Sequence, residues 1–105
     1  MSTPSAGAIP YRVAYSQYVR DRLKELLQRA AACGLGRPAL EAIKTIDARL
    51  HVYPQFGQPL RDLQAKGKTV WIATVEPLVI RYVLDEDERM VYVVTPIQSL
   101  PRLGF

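Results

Sequence analysis

This chain has almost no cysteine, almost no histidine and no long apolar run. Its 105 residues hold one cysteine, Cys33, so no internal disulfide can form. That fits a reducing compartment, and a cytoplasmic location is the expectation. Cys33 follows a helical stretch at its C-terminal end, which does not make a nucleophile of it. The one histidine, His51, has no second histidine for a metal site or a Ser-His triad, so neither metal nor cofactor is expected. It closes a helical stretch, where a cation is favoured. No apolar stretch approaches the ~20 residues that cross a bilayer, so no membrane association is expected. The opening residues lack a basic start followed by an apolar segment and do not read as a signal peptide. Gly34 and Gly36 bracket a single leucine and do not form a phosphate loop.

Acidic residues are also scarce once one cluster is set aside. The net charge is +4, yet Asp85, Glu86, Asp87 and Glu88 stand together. Without them, 14 basic residues face 6 acidic ones, a balance of +8. The acidic run lacks the spacing of a calcium loop and reads as a solvated turn. Arginines outnumber lysines ten to four. Their planar fork suits phosphate and carboxylate. The plain reading is a solvated basic surface. The sharper one is an anionic partner, either RNA or an acidic protein segment.

Length and composition bound a single α+β domain, with residues 1–10 as a disordered lead-in and 11–105 as the folded part. Residues 11–15 alternate as a strand. Ser16 suits an N-cap, and Val19, Leu23, Leu26, Leu27 and Ala30 form one apolar stripe, so a helix spans 17–32. Gly34 is placed to end it. Pro38 fits a first helical position, and Leu40, Ile43, Ile46 or Asp47, and Leu50 mark a second helix to about residue 52. The short linker predicts an antiparallel helical hairpin. Pro54 stops the second helix. Residues 54–68 read as a loop with a short ordered piece at 60–63. Strands are predicted at 69–75, 78–84 and 90–95, joined through Pro77 and the acidic turn 85–88. Pro96 and Pro101 keep the tail irregular. The first strand joins this meander at an edge or in its middle.

The meander is apolar on both faces. Leu78, Ile80, Tyr82 and Leu84 share one face, with Val79, Arg81 and Val83 on the other. Along the last strand Met90, Tyr92 and Val94 oppose Val91 and Val93. The helices can cover only one face, and a wet face should be polar. The second face is therefore expected to be covered by the tail, a second subunit or a partner peptide. Val79, Val83 and Trp71 are the expected interface residues, with Val93 as a further point at which to disrupt it. Trp71 reads as a core or interface anchor rather than a base-stacking platform.

The order β-α-α-β-β-β resembles the RelE/ParE toxins of bacterial toxin–antitoxin pairs. The likeness runs over residues 11–95. The first strand leads straight into the first helix, and the second helix ends at Leu50-His51-Val52-Tyr53-Pro54. Gly57-Gln58-Pro59-Leu60 is similar to the family's G-x-P-L segment. Trp71 on a strand, Pro77-Leu78-Val79-Ile80-Arg81-Tyr82 and Val91-Tyr92-Val93 follow in order. The resemblance implies a toxin neutralised by a cognate antitoxin. It also implies one of two activities, mRNA cleavage on the ribosome or inhibition of DNA gyrase.

Cleavage in the first branch is attack of a 2′-hydroxyl on the neighbouring phosphate. It needs a group to activate the hydroxyl, cations on the phosphate and an acid for the leaving oxygen. The family takes these from lysines on the second strand, an arginine on the third, and an arginine with a tyrosine or histidine near the C-terminus. Here the second strand has no lysine, though Lys66 and Lys68 lie just before it. The third-strand position falls on Val79, with Arg81 two residues on along the same face. The tail offers only Arg102. The resemblance therefore implies Arg81, Tyr92 and Arg102 as catalytic candidates, and Arg61, Lys66 and Lys68 as RNA or anion contacts. The departures favour the gyrase branch, which does without the cleavage set. An inactive basic binding module, homodimeric through the open face, is the remaining reading.

Overall fold

Ser16 opens the first helix, α1 (Gln17–Ala32), by accepting the Val19 amide on its Oγ at 3.1 Å. In the computed structural model, residues 9–62, 67–103 and 105 are described. Val19, Leu26 and Ala30 of α1 are buried, and Leu23 and Leu27 half-buried, as their spacing predicts. At the end of α1 the Leu35 amide returns to the Ala30 carbonyl at 2.8 Å and the Gly34 amide to Ala31 at 3.1 Å. This paired closure needs a left-handed residue, and Gly34 supplies it at φ 78°.

The second helix, α2 (Gly36–Val52), starts at once. Pro38 lies at its third position, not its first, still among the four residues whose amides have no partner within the helix. The buried stripe is Ala39, Ala42, Ile46 and Leu50, while Leu40 is 43% exposed and Ile43 half-buried. The predicted stripe holds at Ile46 and Leu50 and is one residue out in the first half, where Ala39 and Ala42 are buried in place of Leu40 and Ile43. Small side chains let the two helices approach closely: a β-carbon on Gly36 would stand 3.3 Å from the Ala31 backbone. Alanine at a close crossing carries little hydrophobic signal, so a reading that follows leucine misses it. Pro54 then opens a single 3-10 turn, Pro54–Phe56.

Among the described residues six strands form one sheet. They are β1 (Arg12–Tyr15), β2 (Gln58–Asp62), β3 (Lys68–Val75), β4 (Leu78–Asp85), β5 (Met90–Val93) and β6 (Gln98–Ser99). The order is β1-β5-β4-β3-β2, with β6 also on β4. β1 lies at an edge, parallel to β5, and every other pairing is antiparallel.

Two strands depart from the sequence reading. The segment read as a loop yields β2, paired with β3 through a register shift between Pro59 and Arg61. An edge position tolerates the missing amide of Pro59. The tail read as irregular yields β6. β5 pairs only with Val83, Leu84 and Asp85, so the earlier half of β4 has a bare edge. Ser99 and Gln98 fill it opposite Leu78 and Val79.

The helices cover one face of the sheet. Leu78, Ile80, Tyr82 and Leu84 of β4 and Val91 and Val93 of β5 are buried against them. Val93 is 0% exposed, so it belongs to the core and not to the open face where it was expected as an interface position. Its register decides this, because Val91 stands opposite Leu84 and Val93 follows Val91 by two. The Tyr82 hydroxyl donates to the Pro54 carbonyl at 2.5 Å, and its ring stacks on Phe56. Burial pushes the Tyr82 pKa up to about 12. A β-carbon on Gly57 would overlap the Ile72 carbonyl and lie 2.9 Å from that hydroxyl. Gly57 therefore lets the chain pass close over β3. Residues 1–8 of the lead-in lie outside the described residues. Ile9 is tied down, its carbonyl accepting from Arg89 Nε at 3.0 Å.

Candidate functional site on the open sheet face

Residues directly opposite on neighbouring antiparallel strands share a face. One row across the open face is therefore Tyr92, Val83 and Val70, and the next is Arg81, Ile72 and Gln58. A third row holds Arg12, Met90, Asp85 and Lys68. Val70, Ile72, Val79, Val83 and Tyr92 are half-buried with no helix above them. The expectation of a second apolar face is met on β3, β4 and β5.

Basic groups surround this apolar strip. Arg81 is exposed and opens onto a cavity of about 450 Å³ between β4 and the tail, with Ile72, Val79, Thr95 and Gln98 in its wall. Lys68 Nζ lies 6.0 Å from the centre of the Tyr92 ring. That is the outer limit of a cation–π contact. Asp85 is the one buried carboxylate among the described residues, and its Oδ1 accepts the Glu88 amide at 3.1 Å. It is spent on closing the acidic turn. The face thus presents Arg12, Lys68 and Arg81 as cations and Tyr92 as a phenol.

The other sequence-derived residues are placed as follows. Val79 and Val83 are half-buried on this face. Trp71 is not: it stands opposite Tyr82, on the helix side, and packs half-buried against the core. Strand alternation puts it with Thr69, Ala73 and Val75, away from Val79 and Val83. Its Nε1 is buried without a hydrogen-bond partner among the described residues. Arg102 lies in a short 3-10 turn, Pro101–Leu103, with its guanidinium 3.0 Å from the Glu76 carboxylate. Arg61 stands on β2 opposite Val70, and its side chain, like all of Lys66, lies outside the described residues. The structure thus brings Arg81, Tyr92 and Lys68 to one face and ties Arg102 to Glu76.

A polar cluster on the helix side was not foreseen. The Tyr15 hydroxyl donates to Asp47 Oδ1 at 2.6 Å, and His51 Nδ1 lies 2.8 Å from the Asp47 carbonyl oxygen. Burial and the neighbouring carboxylate raise the Tyr15 pKa well above the usual tyrosine value. Beside it an apolar slot of about 280 Å³ opens between the helices, with Leu23 and Ile43 inside and Arg20 and Lys44 also lining it. The only sequence signal was the four-residue spacing of Asp47 and His51, which a surface helix shows equally often.

Two helices on one face of a mixed, mainly antiparallel sheet make this an α+β fold of the RelE toxin type. A chain in the crystal structure of the toxin–antitoxin complex RelBE2 from Mycobacterium tuberculosis shares it. The TM-score is 0.62 and the identity 19%, over 88% of this chain and 93% of that one. No protein-family model and no curated protein matches the sequence. Among the described residues no helix is long and apolar enough to cross a membrane.

Proposed function

We propose that this chain is the toxin of a type II toxin–antitoxin pair of RelE/ParE character, acting on mRNA at the ribosome or on DNA gyrase. The observation that carries this reading is the open sheet face, half-apolar and rimmed by Arg12, Lys68 and Arg81, in a fold shared with a chain of a toxin–antitoxin complex. The apolar strip suits an antitoxin segment that caps the sheet and wraps the helices, as segments that order on binding can do. The cations and the phenol suit RNA.

In the RNA branch the 2′-hydroxyl attacks the adjacent phosphorus, its proton is removed, and the 5′-oxygen leaves with a proton supplied. Arg81 is placed to hold the phosphate oxygens as their charge grows. Tyr92 can supply a proton to the leaving oxygen from this face, solvent can take the one the hydroxyl loses, and Lys68 adds positive charge beside the ring. One observation favours a second reading. Arg102 lies in the tail turn beside Glu76 and is not among the residues that line the Arg81 cavity, so the C-terminal cation is not gathered with the others. That fits gyrase inhibition, or an inactive module that binds partners or a second copy through the same face.

The test is induced expression in a bacterial host with pulse labelling of protein and DNA synthesis. Early loss of translation is the outcome expected for the RNA branch. Early loss of DNA synthesis supports the gyrase branch. Undisturbed growth at high soluble expression overturns the toxin reading and leaves the binding module.

A further inference from the structure

The tail separates two basic hollows. Pro96, Gln98, Ser99 and Pro101 line the Arg81 cavity on one side, and on the other a groove of about 530 Å³ against α1. Into that groove α1 sends Tyr18, Arg22 and Arg29. They follow one another by four and seven residues, about 6 Å and about 10 Å along the helix, on nearly one line. None of them serves the core, which takes Val19, Leu26 and Ala30 from the neighbouring stripe, about a quarter turn round the helix. Tyr18 is 59% exposed and turns its ring to the groove.

The two arginines are available. Arg22 meets Glu25 at 3.1 Å in an exposed pair, which binds weakly and yields to a better anion. Arg29 forms no ion pair among the described residues. The shared wall is polar and well anchored. Buried Ile97 pins it to the core, β6 ties it to β4, and the Leu100 amide donates to the Pro77 carbonyl at 3.0 Å. The Gln98 amide can both donate and accept along it.

We propose that this groove binds single-stranded RNA, holding nucleotides that flank those bound at Arg81. A flat exposed ring beside arginines in a polar trough offers a base to stack on and phosphates to neutralise. An acidic peptide would use the arginines alone and leave the ring idle. The shared wall joins the two hollows, so one strand can run from Arg81 across the tail to Arg29. The proposal rests on the RNA branch of the function above.

The experiment is fluorescence anisotropy with a labelled single-stranded RNA of about a dozen nucleotides, at two salt concentrations. The proteins are the wild type, Tyr18→Ala, Tyr18→Phe, the double variant Arg22→Ala/Arg29→Ala, and Arg81→Ala. A thermal melt of each confirms the fold. Tyr18→Ala is expected to weaken binding about ten-fold, as loss of one stacked base does, with Tyr18→Phe near wild type. The double arginine variant should bind more weakly and with a shallower salt dependence. Wild-type affinity in Tyr18→Ala and in the double variant, with Arg81→Ala alone impaired, would overturn the groove and leave the RNA reading standing. No RNA binding by the wild type overturns both. Equal competition by polyglutamate, with Tyr18→Ala unaffected, would assign the groove to an acidic protein instead.

Discussion

The two faces of the sheet are built from the same strands and nearly the same residue types, yet only one of them is closed. On β4, Leu78, Ile80, Tyr82 and Leu84 are sealed under the helices, while Val79, Arg81 and Val83 alternate with them on the open side. The difference is not hydrophobicity but what lies above. Burial under α1 and α2 turns apolar side chains into folding energy, at about 25 cal/mol per Å² removed from water. The open valines gain only part of that, so a partner that covers them can still collect it. The first face is where stability should be found, and the second is where binding and chemistry should be.

The sharpest way to break this comparison is to place the same charge on each face. Val93→Glu puts an unpaired carboxylate into the core and is expected to cost about 4 kcal/mol or more, enough to unfold a small domain. Val79→Glu, on the open face, should leave the melting temperature nearly unchanged and abolish binding of the proposed antitoxin. Equal losses of stability in the two variants, by thermal or urea melts, would show that both faces are core.

Arg81→Ala comes next. It should leave the fold intact and lower any ribosome-dependent RNA cleavage by about 10²-fold, the usual cost of losing a cation that stabilises the transition state. Unchanged cleavage would remove Arg81 from the site. Gly57→Ala should cost about 1–3 kcal/mol, because the new methyl meets the Ile72 carbonyl and strand β3 must shift.

The smallest effects belong to the buried hydroxyl. Tyr82→Phe frees the Pro54 carbonyl and should cost about 1 kcal/mol. Tyr82 also gives the helix side a signature at high pH. Its pKa rises from 10.0 in the unfolded chain to about 12 in the fold, so the neutral phenol is the form the fold favours. Its contribution is complete below pH 10.0 and is lost as the pH climbs towards about 12. Alkaline melts should show stability falling over that window, less steeply in Tyr82→Phe. An identical slope in both proteins would show that Tyr82 does not carry this dependence.

Where the chain's own patterns are strong, they were legible. The stripe from Val19 to Ala30, the cap at Ser16, the stop at Pro54 and the alternation along β4 each rest on contacts within a few residues, which local spacing records. β2 and β6 were not legible. Pro59 interrupts one and the other is two residues long, and both exist because a neighbouring strand edge stood bare. The first half of the α2 stripe was misread because alanines, small enough for a close crossing, mark its buried side there. Within the site, alternation put Arg81 with Val79 and Val83, but only the register of β5 on β4 placed Tyr92 with them and Val93 in the core. Trp71 was grouped with the wrong face because its side depends on strand register, which no local pattern records.

Sequence alone determined the class of fold, the order of the main elements, and a second apolar face too rich in valine to be left wet. Those follow from periodicity and from the backbone limits of proline and glycine, which act over short distances. Tertiary structure decided which face is closed, that Lys68 meets Tyr92 while Arg102 stands beside Glu76 on the tail, and that the tail stands between two basic hollows. Each of these depends on pairing between segments far apart in the chain, and that pairing is settled only when the strands choose their neighbours.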